Sequence, residues 1–407
     1  MPSERARPIF DAEHDLFRDA VKRFVAAEVV PYHEAWERAK CVPRDVWAKA
    51  GAAGLLCPSA PEAYGGAGVD FRFGAIVAEE LAYAGTPGPC FSLHSDIVAP
   101  YLYKYGSDAQ KGRFLPGMIA GTTIGAIAMT EPGTGSDLAA IETRAVRSAG
   151  GGWRLSGSKT FITNGQLADL VIVAAKTDPA AGAKGVSLFL VEATARGFAR
   201  GRNLDKLGLH AQDTSELFFD DVPLGDDALL GREGQGFVYL MNELAQERLL
   251  LAVGAAAAAE AALRWTTAYV AERTAFGKRI LDFQNTRFVL ADAATETTIG
   301  RSFVDTCLAA HARDELDVER AVMAKLWLSE MQFRVTDALL QLFGGYGYMQ
   351  EYPIARAWAD ARVQRIYAGS SEIMREMLGR SIAARLTAPT PRVAEPALRE
   401  RTPAGVL

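Results

Sequence analysis

Apolar residues in the first 120 positions recur at helical spacing. In DAEHDLFRDAVKRFVAAEVV, residues 11–30, Leu16, Phe17, Val21, Phe24 and Val25 share one face, and Pro31 stops the run. DVWAKAGAAGLL reads as a second helix closed by glycine, PEAYGGAGV as a loop, and FGAIVAEELAYAG and DAQKGRFLPGMIAG as further helices. The texture changes near Thr122. IGAIAMT, GWRLSGSKTFITNG, DLVIVAAKT, GVSLFLVEA and SELFFDDV are short β-rich runs between turn residues, which predicts an antiparallel sheet or barrel as far as about Val222. Helical spacing returns after Gly236. One very long helix covers FVYLMNELAQERLLLAVGAAAAAEAALRWTTAYVAERTAF; others run from Phe283 to about Ala310, from Asp317 to about Phe343 and onward from Ser371. The class is therefore α+β. An N-terminal helical domain (1–121) precedes a middle β-domain (122–234), a C-terminal four-helix bundle (235–386) and a Pro- and charge-rich tail (387–407) expected to be disordered.

Composition narrows the function. With 407 residues, 49% hydrophobic and 23% charged, the chain has the make-up of a globular protein, and its net charge of -5 argues against nucleic acid as a partner. Cys41, Cys57, Cys90 and Cys307 are scattered without metal-ligand spacing and read as buried free thiols in a reducing compartment. LLLAVGAAAAAEAAL, from Leu249, reads as too short to span a bilayer and is broken by Glu260. The first ten residues lack the apolar core of a secretory signal, so a cytoplasmic location is expected.

Several short stretches carry chemistry. TEPGTGSD, Thr130 to Asp137, holds two glycines and several hydroxyl or acidic groups after a strand. It suits backbone approach to a flat polar ligand, or an ordinary tight turn. KTFITNG places Phe161 and Thr163 on one strand face, fit for the edge of a flat ring or for a plain half-buried strand. ERTAFGKRILDFQ sets Arg273, Phe276 and Gln284 around a helix break; arginine is a natural bidentate partner of pyrophosphate, though most surface arginines are merely solvated. QLFGGYGYMQEYP packs three glycines into a helix end, more than a cap requires. In QRIYAGSSEIMRE, Ala368 and Gly369 form a hinge and Ser370 or Ser371 caps the helix that follows, leaving its first N–H groups for a polar ligand. Finally, Leu240, Leu244, Glu247, Leu251 and Ala255 form one helical stripe. A carboxylate in such a stripe tends to a raised pKa, which suits a general base, but a structural ion pair explains it too. Glu243 lies one turn earlier on a less clearly apolar face; Glu131, Glu351 and Asp360 read as loop or helix-end charges.

Taken in order, these segments resemble the acyl-CoA dehydrogenase family from roughly Phe10 to Ala384. AMTEPGTGSD, GSKTFITNG, LGLHAQDTSELFFDDV, ERLLLA, RTAFGKRI, QLFGGYGYMQEYPIARAWADARV and IYAGSSEIMRE carry the likeness, and the wording is most like the long-chain branch. The resemblance implies two helical regions flanking a β-domain, assembly as a tetramer (a dimer of dimers), and non-covalent FAD. It implies that Met129, Thr130, Gly135 and Ser136 line the flavin, with Phe161 and Thr163 against the isoalloxazine; many relatives have tryptophan where Phe161 stands. Arg273, Phe276, Gln284, Gln341, Gly344 and Gly345 would bind the adenosine pyrophosphate of a flavin held mainly by a neighbouring subunit. Ser370 and Glu372 would touch flavin beyond the hinge; Ser136, Arg248, Tyr367 and Gly369 would contact substrate.

The implied reaction is α,β-dehydrogenation of an acyl-CoA thioester, with an electron-transfer flavoprotein as acceptor. Many members carry the base as a glutamate at the hinge, where this chain has Ala368; its backbone N–H still serves as an oxyanion donor. The long-chain and isovaleryl branches place the glutamate in an ER pair on the long helix, matched here by Glu247-Arg248. Two rivals remain at this point: a flavin oxidase or monooxygenase on the same scaffold, recognised by peroxide production in air, and a non-catalytic flavin or acyl-CoA binding protein, recognised by failure of acyl-CoA to bleach the flavin.

Overall fold

A computed structural model describes residues 7–387 of the protein. The tail expected to be disordered lies, beyond Thr387, outside the described residues. Helix α1 (Ala12–Phe24) is capped by Asp11, whose side chain accepts from the N–H groups of Glu13 and His14, and it runs into a π-helical turn at Val25–Val29. Val21 and Val25 are buried, as their spacing predicts, with Phe17 and Phe24 packed beside them. Leu16 is the exception at 71% exposed; buried His14 occupies that end of the seam instead, with its ring against Phe73. Helix α2 (His33–Ala39) escaped the sequence pattern because it is only two turns long. Helices α3 (Arg44–Ala52), α4 (Arg72–Tyr83) and α6 (Asp108–Ile119) fall where the periodicity puts them; α5 (Ala99–Tyr105), continuous with a π-helical segment at Leu93–Val98, does not. Its aromatic, half-polar sequence YLYKY hides the period.

The middle of the chain forms one eight-stranded sheet. The strands are β1 (Gly125–Ala128), β2 (Arg144–Arg147), β3 (Trp153–Thr163), β4 (Leu170–Lys176), β5 (Val186–Glu192), β6 (Phe198–Asn203), β7 (Thr214–Leu224) and β8 (Leu229–Leu230). They pair in the order β6-β7-β3-β2-β4-β5-β8, with β1 also on β4. Most of the pairing is antiparallel, as expected, with β1 and β2 the exceptions: both pair with β4 in parallel. Strand β4 is buried throughout: Leu170, Ile172 and Ala174 pack toward α5 and α6, while Val171, Val173 and Ala175 pack toward Trp153 and Phe189. Both faces being covered is why LVIVAAK shows no polar alternation.

Helix α7 (Gly236–Glu272) is the long rod predicted, 37 residues, and packs against α4, α8 (Gln284–His311) and α9 (Val318–Gln341). By length and composition it could cross a membrane, contrary to the estimate from its apolar run, but 67% of its most apolar stretch is buried inside the protein. Ala252, Ala255, Ala256, Ala259 and Ala262 let its neighbours approach closely. A small hairpin, β9 (Thr274–Ala275) and β10 (Lys278–Arg279), links α7 to α8, and α10 (Pro353–Ala361) and α11 (Ser371–Thr387) complete the chain. The N-terminal and C-terminal helices are joined by a buried ionic knot, in which Glu79 of α4 accepts from Arg7, Arg18 and Arg301.

Candidate active site

A cavity of about 320 Å³ opens where α7 passes between α4, the ends of β1 and β3, and the hinge before α11. Helix α7 contributes Glu247, Leu251, Gly254 and Ala258, one face at four-, three- and four-residue steps. Met129, Thr130, Phe161 and Thr163 come from the sheet side, and Tyr367 and Ala368 from the hinge. Residues as far apart in sequence as Met129 and Ala368 thus meet in one cleft. Four of the non-glycine residues that line it have positive φ: Cys90 (48°), Phe161 (59°), Leu209 (50°) and Ala368 (50°). Such strain persists only where surrounding packing holds it, and it gathers at functional sites.

Glu247 is 4% exposed, and Oε1 accepts from the Tyr101 hydroxyl at 2.9 Å. Burial pushes its pKa up to about 7; the Tyr101 hydrogen bond opposes the rise, Glu243 adds to it and Arg248 works against it. Glu243 proves equally buried, but Lys104 Nζ and the Tyr105 hydroxyl each reach it at 2.7 Å, and it does not line the cleft. Of the two glutamates, only Glu247 is both open to the cavity and without a cation in hydrogen-bond contact. Arg248 is no surface ion pair. It is buried against α11, with Nη2 3.7 Å from Met377 Sδ and Nε lacking a partner, and it lies outside the cavity lining.

The hinge is built around Ala368 (φ 50°) and Gly369 (φ 94°). Ser370 is the cap of the following helix, its Oγ accepting from Ile373 N. Lys325 of α9, itself buried, donates from Nζ to the Gly369 carbonyl at 2.6 Å and so ties the hinge to the bundle. Sequence pattern had no means of assigning that lysine. On the other wall, Lys159 is wholly buried and holds the Met129 carbonyl (2.9 Å) and the Glu131 carboxylate (2.8 Å), while Glu131 accepts from Glu142 and Thr143 N–H. Glu131 is therefore a buried anchor of the 129–130 wall rather than a loop charge. Asp360 also departs from expectation: it stands near the end of α10, but it lines the cavity, accepts from Leu209 N at 2.5 Å, and burial raises its pKa to about 6. Gln332 and Trp265 line the same cleft and were missed, the first because it sits on a helix with no break, the second because it lies five turns beyond Glu247.

The remaining candidates divide. Arg273, Phe276, Gln341, Gly344 and Gly345 line a second, open groove of about 810 Å³ at the end of α7. Gln284 is not in its lining, although its neighbours Phe283 and Asn285 are. A Cβ on Gly344 or Gly345 would meet nothing within 4 Å, so both glycines leave the groove clear, whereas Gly347 is glycine because a Cβ there would come 2.6 Å from the Leu340 carbonyl. Phe276 is 94% exposed. Gly135 and Ser136 sit on an exposed turn outside the first cavity, next to Thr130. Glu372 is exposed on α11, 3.9 Å from Arg375, which lowers its pKa less than its own helix N-terminal hydrogen bonds do.

This division fits a flavin. Exposed Phe161 and the pinned Met129–Thr130 backbone offer a flat apolar and polar wall beside a buried carboxylate, as an isoalloxazine requires. The cation needed for a pyrophosphate, Arg273, lies in the second groove with its glycine-cleared floor.

Comparison with known proteins agrees. Residues 11–122, 126–222 and 234–383 match the N-terminal, middle and C-terminal domain models of acyl-CoA dehydrogenases. The chain is 53% identical over 378 residues to the mitochondrial long-chain specific acyl-CoA dehydrogenase of Rattus norvegicus, covering 92% of this chain and 88% of that one. An acyl-CoA dehydrogenase structure from Geobacillus kaustophilus superposes with a TM-score of 0.91 at 47% identity, over 93% of this chain and 100% of that one. A glutaryl-CoA dehydrogenase from Mycobacterium smegmatis, solved in complex with FADH2, superposes with a TM-score of 0.86 at 29% identity, over 93% and 97% of the two chains.

Proposed function

The chain belongs to the acyl-CoA dehydrogenase family, an FAD-dependent oxidoreductase of fatty-acid oxidation, and on that premise we propose Glu247 as its α-proton base and a long, straight acyl-CoA thioester as its substrate. The observation that carries the base is the cleft itself: a buried carboxylate whose pKa burial pushes up to about 7 lines the same cavity as Tyr367 and Ala368 of the hinge. Glu247 in its ionised form takes the proton next to the thioester. Negative charge then develops on the thioester oxygen, where the backbone N–H of Ala368 donates. Phe161 and Thr163 on the sheet side would hold the isoalloxazine of FAD, which when bound would supply the acceptor for a hydride from the β-carbon. Lys325 fixes the hinge wall to α9, and Lys159 fixes the 129–131 wall to β3.

The acyl chain follows α7. From Glu247 the lining passes Leu251, Gly254 and Ala258 to Trp265, and 18 residues at about 1.5 Å each span roughly 27 Å. Ala78, Leu81 and Ala82 of α4 form the opposite wall. At the far end of the lining Trp265 packs over Gly85, where a Cβ would lie 2.9 Å from the indole. Gly254 faces open space, with nothing within 4 Å of its Cβ position. Each buried methylene adds about 0.8 kcal/mol of binding, so a tunnel of this length favours long chains.

The test is a panel of saturated acyl-CoAs from short to long, with isovaleryl-CoA, each mixed anaerobically with the holoenzyme while flavin absorbance is followed. Long chains are expected to bleach the flavin fastest. Gly254→Leu should leave short-chain reduction in place and reduce the preference for long chains at least tenfold; a variant with unchanged selectivity would remove the acyl chain from this path.

Turnover transfers two electrons, for which we propose an electron-transfer flavoprotein as acceptor. The second groove would be completed by flavin from a neighbouring subunit in a homotetramer. The four cysteines are free, two buried and two half-buried, which suits a reducing compartment such as the cytoplasm.

A further inference from the structure

Helices α5 and α7 meet in polar register. Tyr101, Lys104 and Tyr105 stand at i, i+3 and i+4 on one helix; Glu243 and Glu247 stand at i and i+4 on the other. The Tyr101 hydroxyl donates to Glu247 Oε1 at 2.9 Å, Lys104 Nζ to Glu243 Oε2 and the Tyr105 hydroxyl to Glu243 Oε1, both at 2.7 Å. Tyr101 has no exposed surface and packs in the cluster that holds Leu102, Leu115 and Met118. Its ring is therefore rigid, and the hydroxyl is delivered from a fixed point. Tyr105 is likewise braced, stacked on Tyr239 at 4.1 Å between centroids.

We propose that Tyr101 is the positioning residue of the base: its hydroxyl holds Oε1 of Glu247, turns Oε2 toward the cleft, and favours the ionised carboxylate. A glutamate on a helix has three side-chain torsions and would otherwise sample several orientations in an apolar cavity. One directed donor on one oxygen removes that freedom and leaves the other oxygen for the proton. The same helix quenches the competing acid, since Lys104 and Tyr105 occupy both oxygens of Glu243. The inference rests on Glu247 being the base.

The surroundings contain few other sources of a pH effect. On α7 the neighbours are Glu243, matched by Lys104, and Arg248. On α9, Lys325 stands beside Arg248 and bonds to the hinge. At the end of α8, burial holds the His311 pKa below its ordinary value, and Lys104 and Glu243 act on it in opposite directions. Asp96, in the 93–98 segment, bears on Tyr103, and Asp360 of α10 lines the same cavity, bonded to Leu209. On α4, Glu79 and Glu80 are tied to arginines. Only Tyr101 donates a hydrogen bond to Glu247 among these groups.

Tyr101→Phe keeps the ring and removes the donor. A hydrogen bond to the charged form lowers a carboxyl pKa, so its loss raises it. In stopped-flow reduction of the holoenzyme by a saturated acyl-CoA, the rate of Tyr101→Phe is expected to follow a pH profile displaced upward by about one unit, about tenfold slower below the midpoint and converging with wild type at high pH. Flavin content and KM stay within about twofold. A profile that superimposes on wild type overturns the proposal, because a merely space-filling tyrosine would give that result. Glu247→Gln run alongside separates the two claims: if it abolishes reduction while Tyr101→Phe leaves the profile in place, the base stands and the positioning role falls; if it reduces flavin at the normal rate, both fall.

Discussion

Glu247→Gln will bind flavin and acyl-CoA and fail to reduce the one with the other. The substitution preserves volume and a hydrogen-bonding oxygen for Tyr101, so the fold and the cavity persist. What is lost is the acceptor for the α-proton. Removing a positioned general base slows the step by about 10²–10⁴-fold, which corresponds to roughly 3–5 kcal/mol of barrier. The measurement is the rate of flavin bleaching after mixing with excess long-chain acyl-CoA, with ligand binding checked by the spectral change at saturation. Normal bleaching would refute the assignment. A second arm tests geometry rather than necessity. Glu247→Gly combined with Ala368→Glu moves the carboxylate from α7 to the hinge, and the backbone there already has φ near 50° with a non-glycine residue, so glutamate adds no new backbone strain. Partial recovery of reduction is expected if both positions reach the same α-carbon. In wild type the rate should climb with pH through about 7, because the base works only when ionised and burial holds its pKa there.

Glu79→Ala will destabilise the protein more than any change in the cleft. Glu79 has no exposed surface and is bonded to Arg7, Arg18 and Arg301, which tie the segment before α1, α1 itself and α8 to α4. Deleting the carboxylate removes the acceptor that three guanidinium groups share and leaves each with one other carboxylate, Asp305 for Arg7, Glu80 for Arg18 and Glu260 for Arg301, so the shared compensation is lost from a buried cluster of like charges. Breaking a buried pair in this way typically costs about 3–5 kcal/mol. The loss should appear as a lower midpoint in urea or thermal unfolding of the holoenzyme. The pH dependence has a definite sign. Despite burial, which acts to raise it, the three arginines hold the Glu79 pKa at about 2, below its ordinary 4.5. The stabilisation is thus complete above about pH 4.5 and is lost as pH falls through about 2. Wild type and Glu79→Ala should converge in stability in acid; an equal gap at pH 2 and pH 7 would show that charge is not the source.

Much of this architecture was legible in the chain. The 3.6-residue period located the long rod α7 and its two main partners, and the switch to short β-rich runs located the sheet. The stripe through Leu240, Leu244, Glu247 and Leu251 placed a carboxylate in an apolar face, and that face does line a cavity at Glu247 and Leu251. Less legible were elements whose sequences lack contrast. Strand β6 (FARGRN) is half-exposed and polar, and α5 alternates tyrosine with leucine and lysine, so neither has a clear period. Leu16 was misplaced because a helix seam is only as wide as the element covering it, and α4 meets the face of His14 and Phe17 instead.

By itself the sequence determined which residues share a face, because periodicity is a local property of the backbone. It could not decide what lies across from that face. Glu243 and Glu247 are one turn apart on the same helix, and both are buried; only the register of α5 against α7 sends Lys104 to the first and Tyr101 to the second. Likewise the glycines at 344 and 345 and the residues at 129–130 belong to two separate surfaces of the chain, a division that depends on packing between distant segments. Electrostatic character follows the same rule. Whether a carboxylate is left open to a cavity, locked in an ion pair or made the centre of a structural knot follows from the donors that neighbouring helices bring to it, and those donors are assembled only when the helices dock.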